Sequence, residues 1–159
     1  MKREASSPGG VVSPSAASPE LEPLANFVGL WDTEGEMRAA SGPGRTFKAS
    51  DAYEWVAGGL FLLHRFDADM PEGKVEGIEI IGYDRESGSY LMHSFDSTGN
   101  ATLMRGTTEK ESWTFTGESV RFRGSFRDGA RVFAGVWEMR ASDGSGWEPW
   151  MEVTLRKNE

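Results

Sequence analysis

Residues 45–69 read RTFKASDAYEWVAGGLFLLHRFDAD. Taken alternately, the first twelve put Phe47, Ala49, Asp51, Tyr53 and Trp55 on one face and Lys48, Ser50, Ala52, Glu54 and Val56 on the other. A period of two with one apolar side marks a strand that turns one face away from water. Gly58-Gly59 supplies a turn, after which Leu60, Leu62, His64, Phe66 and Ala68 alternate with Phe61, Leu63, Arg65 and Asp67. A connection this short makes the two strands antiparallel neighbours, so the segment is a hairpin.

The same grammar runs through the rest of the chain. Strands are expected at Trp31–Ala39, Arg45–Val56, Leu60–Asp69, Val75–Asp84, Tyr90–Phe95, Ala101–Thr107, Ser112–Thr116, Val120–Arg127, Arg131–Arg140 and Trp147–Arg156. Turn chemistry separates them, as in Ser41-Gly42-Pro43-Gly44, Ser87-Gly88, Thr98-Gly99-Asn100, Arg127-Asp128-Gly129 and Ser142-Asp143-Gly144. No helical period beyond Trp31 is long enough to carry a parallel crossover. A hairpin-linked series left open would expose two edges, and closing it removes both. The expected fold is therefore all-β, a single antiparallel up-and-down β-barrel of about ten strands with a short N-terminal helix. A barrel of that strand number encloses more space than a filled eight-stranded core and has room for a small ligand.

The helix is expected within LEPLANFVGLW, residues 21–31. Pro23 suits a first helical position, Leu24, Phe27 and Val28 form an apolar stripe, and Gly29 suits the C-terminal cap. One or two turns there would plug the barrel. Residues 1–18, MKREASSPGGVVSPSAAS, hold too little apolar surface to offset the entropy of ordering and are expected to be a disordered tail. The barrel domain is then 19–159. Lys2 and Arg3 are followed by no apolar run of a secretory leader, and no stretch approaches the ~18–20 apolar residues of a membrane helix. The expectation is a soluble, cytoplasmic protein with no membrane partner.

Composition narrows the function classes. The 17 Lys and Arg stand against 25 Asp and Glu, a net charge of −8, and the basic face that nucleic acid demands is missing. With no cysteine, thiolate metal sites and cysteine nucleophiles are excluded. Two histidines without HExxH spacing are poor material for zinc, and no Walker loop or G-x-S-x-G elbow is present. Arg121, Arg123 and Arg127 share one face, which reads as a solvated outer surface.

Chemistry is sought among polar residues riding on apolar faces. Asp51 lies between Phe47 and Trp55, His64 between Leu62 and Phe66, and His93 between Leu91 and Phe95, while Glu138 continues the row Val132, Ala134, Val136. With Tyr53, Trp55, Leu62, Phe66 and Phe122 these form the candidate ligand-binding set. A carboxylate and an imidazole in a dry cavity have perturbed ionisation and can act as acid, base or ligand anchor. Each has a plainer reading as a rim group or one satisfied by a backbone partner. Either histidine could ligate a haem iron, a task that needs one neutral imidazole.

Several motifs in order carry a family likeness. They are Phe27-Val28-Gly29-Leu30-Trp31, Trp55-Val56-Ala57-Gly58-Gly59-Leu60-Phe61-Leu62, Ile81-Gly82-Tyr83-Asp84, Phe95-Asp96-Ser97-Thr98-Gly99, Trp113-Thr114-Phe115-Thr116-Gly117-Glu118, Arg121-Phe122-Arg123-Gly124, Trp137-Glu138 and 143–151. The G-x-W at Gly29–Trp31 looks like the start of the first strand of a lipocalin-type barrel. The whole set resembles the bacterial family called domain of unknown function 1579, over about Leu21 to Arg156. That resemblance implies a calycin, lipocalin-like barrel and brings no established activity or catalytic residue. Fold relatives it implies include fatty-acid-binding proteins, lipocalins and haem-binding nitrobindins. The last strand lacks the Arg-x-Tyr of the first of these, and no His follows His93 to match the last.

Three functional readings follow. The leading one is a binder of a small apolar or aromatic molecule. The others are an isomerase or cyclase of a hydrophobic natural product using Asp51 and His64, and a haem-binding barrel. A structural role with the tail as tether, the identity of any cofactor, and a homodimer all stay open.

Overall fold

In the computed structural model, residues 18–39 and 41–158 are described. The expected tail, Ser18 apart, lies outside them. Ten strands follow one N-terminal 3-10 helix: β1 Gly29–Met37, β2 Arg45–Val56, β3 Phe61–Met70, β4 Gly73–Asp84, β5 Ser89–Asp96, β6 Ala101–Glu109, β7 Ser112–Thr116, β8 Val120–Arg127, β9 Val132–Arg140 and β10 Trp147–Lys157. Each pairs antiparallel with its sequence neighbour, and β1 pairs with β10 from Trp31↔Lys157 to Met37↔Met151, closing the barrel. Closure leaves no edge strand, so every strand has a ladder on both sides.

Short turns alternate between the two barrel ends, and the helix plugs the end where β2 turns into β3. It spans Pro19–Phe27, earlier than the sequence reading placed it, with Pro23 inside. The reason is its period. Leu21, Leu24 and Phe27 recur every third residue, the repeat of a 3-10 turn, and all three are buried. Gly29 begins β1 with φ +135° instead of capping a helix. Phe27 is the tip of the plug. Its ring centroid lies 5.2 Å from Tyr53, 5.5 Å from Trp113, 4.8 Å from Phe126 and 5.0 Å from Phe133. Such ring pairs add to area burial, and Trp31 Nε1 donates to the Phe27 carbonyl at 2.8 Å.

Toward the other end the packing thins. Pro149 and a register shift before Met151 form a bulge in β10, which turns Trp150 toward the barrel interior near the mouth. Aromatic rings lie flat over cross-strand glycines: Phe47 covers Gly35, and Phe66 covers Gly77. A Cβ at either glycine would occupy the ring's place, so these residues are small because the ring needs the space.

Candidate functional site

Above the plug the barrel holds a cavity of about 710 Å³. Its walls are largely apolar, with Phe47, Phe66, Phe115, Phe122, Trp137 and Trp150 among them, and the β3–β4 and β5–β6 turns rim its mouth. A mostly apolar hollow with a few convergent polar groups is the usual form of a small-molecule site.

The polar groups come from one row of the sheet. Strand register sets Tyr53 opposite His64, His64 opposite Glu79, and Glu79 opposite Ser94 across β2 to β5. Asp51, two residues before Tyr53 on the same face, meets His64 on the diagonal. His64 is only 6% exposed, and both its nitrogens are engaged: Nε2 lies 2.6 Å from Asp51 Oδ1 and Nδ1 lies 2.6 Å from Glu79 Oε1. Two carboxylates offer acceptors only, so the ring between them carries both protons. Burial alone would push the imidazole down, but the hydrogen bonds to Asp51 and Glu79 and the charges of both outweigh it, and its pKa stands at about 9. Thr33 Oγ1 donates to Asp51 Oδ2, and Ser94 Oγ donates to Glu79 Oε2 at 3.1 Å. The Tyr53 ring stacks on the imidazolium at 3.9 Å between centroids, an arrangement in which a π face meets a cation. Burial, then the charges of Asp51 and Glu79, push the Tyr53 phenol well above its ordinary value.

This arrangement limits the chemistry. Asp51 and Glu79 flank opposite edges of the ring, so the three groups do not converge on one point as metal ligands do. Among the described residues no group of three His, Asp or Glu side chains is placed to hold a metal ion. His64 has no lone pair to offer while both bonds stand.

Of the nine residues singled out from sequence, Asp51, Tyr53, His64, Phe66 and Phe122 line the cavity together. Trp55 and Leu62 face inward but are packed in the floor, near the plug, and do not border the cavity. Two placements are corrected. His93 stands exposed on the outer face, because Tyr90, Met92 and Ser94 are the inward row of β5. Its neighbour Phe95 is 45% exposed and Leu103, opposite His93 on β6, is 48% exposed. The alternation was right and the side was wrong, since apolar residues occur on both faces of β3 to β6. Glu138 also lies outside the barrel. Phe133 and Trp137 are the inward residues of β9, and Glu138 is buried under two arginines. Arg121 reaches its oxygens at 2.9 and 3.1 Å and Arg123 at 2.9 and 3.2 Å. The Arg121 guanidinium, with Arg123 beside it, holds the Glu138 carboxyl below the usual range against the opposing effect of burial. The arginines keep the outer face that the sequence reading gave them: Arg123 and Arg127 are exposed, and Arg121 is half-buried against Glu138.

Sequence reading missed Glu79, Thr33 and Ser94. Glu79 continues Val75, Gly77 and Ile81 on one face of β4, but Ile78 and Ile80 make the other face look equally apolar. The available signal was register: a hairpin from β3 through 71–72 sets Glu79 directly opposite His64.

No curated protein matches the chain. Among solved structures, Rv2717c from M. tuberculosis superposes with a TM-score of 0.63 at 15% identity, over 89% of this chain and 98% of that one. The S-type phycobiliprotein lyase CPES from Guillardia theta superposes with a TM-score of 0.53 at 10% identity, over 85% of this chain and 90% of that one. At such identities the likeness is one of fold. The family model described as protein of unknown function DUF1579 matches residues 16–154, and the chain belongs to that family.

Proposed function

We propose that this protein binds a small apolar or aromatic molecule inside its barrel. The observation that carries the reading is the 710 Å³ cavity itself, open at one end, walled by aromatic side chains and given one polar anchor at Asp51, His64 and Glu79. A barrel built only for stability would fill that volume with side chains. The likeness to a lyase barrel and to Rv2717c supports the architecture and leaves the ligand to be found.

The enzyme reading, an isomerase or cyclase with Asp51 and His64 as acid and base, is less well supported. An imidazolium clamped by two carboxylates must break a bond before it can accept a proton. The haem reading is weaker still. His93 stands outside the barrel, and both nitrogens of His64 are taken.

Native mass spectrometry of the purified protein, set against its denatured mass, tests the proposal, together with titration of an environment-sensitive apolar dye. A retained mass lost on denaturation, or dye binding abolished by Ala49→Trp inside the cavity, supports it. An apo mass and a dye that stays dark, or stays bright in Ala49→Trp, overturns it.

A further inference from the structure

The wall of this cavity has a sign. Among the described residues six charged ones border it: Asp51, Glu72, Glu79 and Asp96 against Lys74 and protonated His64. Lys74 stands at the mouth, its ammonium drawn to the outer face by Asp67 at 3.1 Å and Glu76 at 3.5 Å and so away from the deep end of the cavity. Among the described residues the one cation inside, His64, spends both N–H groups on Asp51 and Glu79 and is capped on one ring face by Tyr53. It therefore offers a ligand no donor. The two carboxylates keep acceptor capacity, since each of their oxygens has two lone pairs and accepts one side-chain bond, from His64, Thr33 or Ser94. Deep in the barrel, two carboxylates and one imidazolium leave a surplus negative charge among aromatic rings. A low-dielectric wall makes that surplus felt more strongly than it would be in water.

Resting on the binding reading above, we propose that the ligand is an apolar molecule bearing one amine or similar cationic head group. Its head would donate to a free lone pair of one of the two carboxylates, Asp51 or Glu79, and its apolar body would lie against Phe66, Phe122 and Trp137. Aromatic faces favour a cation as well as an apolar body. A fatty acid or other carboxylate would bring a further negative charge to a deep wall whose one cation among the described residues, His64, is already paired on both nitrogens.

The test is a set of three probes with one skeleton: 4-(1-naphthyl)butylamine, the matching alcohol and the matching carboxylic acid, titrated by calorimetry at pH 7. The amine should bind about tenfold or more tighter than the alcohol, because its bonds to the carboxylates are charge-assisted at both ends, and the acid should bind weakest. In Asp51→Asn/Glu79→Gln the amine's advantage over the alcohol should vanish. If that variant does not fold, the wild-type ranking decides alone. Equal binding of amine and alcohol, or preference for the acid, overturns the cationic ligand and leaves the binding barrel standing. Failure of all three to bind, with the apolar dye also excluded, overturns the barrel reading and this inference with it.

Discussion

Raising the pH from 6 to 9.5 should cost this protein stability through one residue. His64 has a pKa of about 9 in the folded state against an ordinary 6.5. A group raised on folding contributes in full below its unfolded value and loses that contribution as pH climbs through the folded one. Between the two values the native protein holds a proton that the unfolded chain has released, so unfolding free energy falls by about 1.4 kcal/mol per pH unit. Over that interval the loss is about 3 kcal/mol, a large fraction of the stability of a domain this size. The assay is urea denaturation at half-unit pH steps, on the wild type and on Asp51→Asn/His64→Gln/Glu79→Gln, which removes the titrating cluster without removing its shape. The difference between the two curves isolates the cluster from every other titrating group. NMR of the His64 ring in a His93→Gln background, where it is the one remaining imidazole, gives the midpoint directly. A midpoint at or below 6.5, or parallel stability curves between pH 6.5 and 9, would refute the doubly protonated ring and the surplus charge argued from it.

Two further outcomes follow from the barrel's construction. Arg123→Ala alone should cost little, since Arg121 still grips both Glu138 oxygens, whereas Arg121→Ala/Arg123→Ala should cost about 3 kcal/mol in urea denaturation by leaving a buried carboxylate without a counter-charge. Gly77→Ala would set a methyl into the Phe66 ring and 2.6 Å from the Phe95 carbonyl oxygen, so it should destabilise by about 1–3 kcal/mol and, by pushing the ring into the cavity, weaken dye binding.

The barrel was legible because its signals are local. Alternation fixes a strand whichever side it faces, and the Gly-rich turns fix its ends: Arg45–Val56, Ser112–Thr116 and Val120–Arg127 fall where the pattern set them. The site was half legible. Asp51 stands out as a polar residue in a strand that is apolar on one side only, and His64 shares its facing because the hairpin pairs Tyr53 with His64. In β5 and β9 that contrast fails. Leu91 and Phe95 lie outside the barrel, and the small residues Val132, Ala134 and Val136 outside β9 mimic a core row. Glu79 needed cross-strand register, which joins residues fifteen apart in sequence and is invisible to a period-two reading. The plug was misplaced for a different reason: an α-helical template was laid on a segment whose buried residues repeat every third position.

Whether the cluster serves the fold or the ligand can be decided by energetics. Burying an imidazolium between two carboxylates costs desolvation of three charged groups, and their mutual attraction does little more than repay it. Replacing such a triad by apolar residues of similar size is commonly neutral or stabilising, by about 1–4 kcal/mol, while deleting one member is strongly destabilising. If the barrel needed only a packed wall at this row, apolar side chains would supply it at less cost, as Ile81 and Met92 do one step nearer the plug. The variant Thr33→Val/Asp51→Leu/His64→Phe/Glu79→Met should therefore fold to a barrel at least as stable as the wild type near pH 7 and should no longer prefer the amine probe over the alcohol. His64→Ala alone, which strands two carboxylates side by side, should be several kcal/mol less stable than either. A quadruple variant that fails to fold, or that keeps the amine preference, would move the triad from ligand recognition to architecture. The combination of retained stability and lost preference is the outcome that a structural role for the triad does not produce.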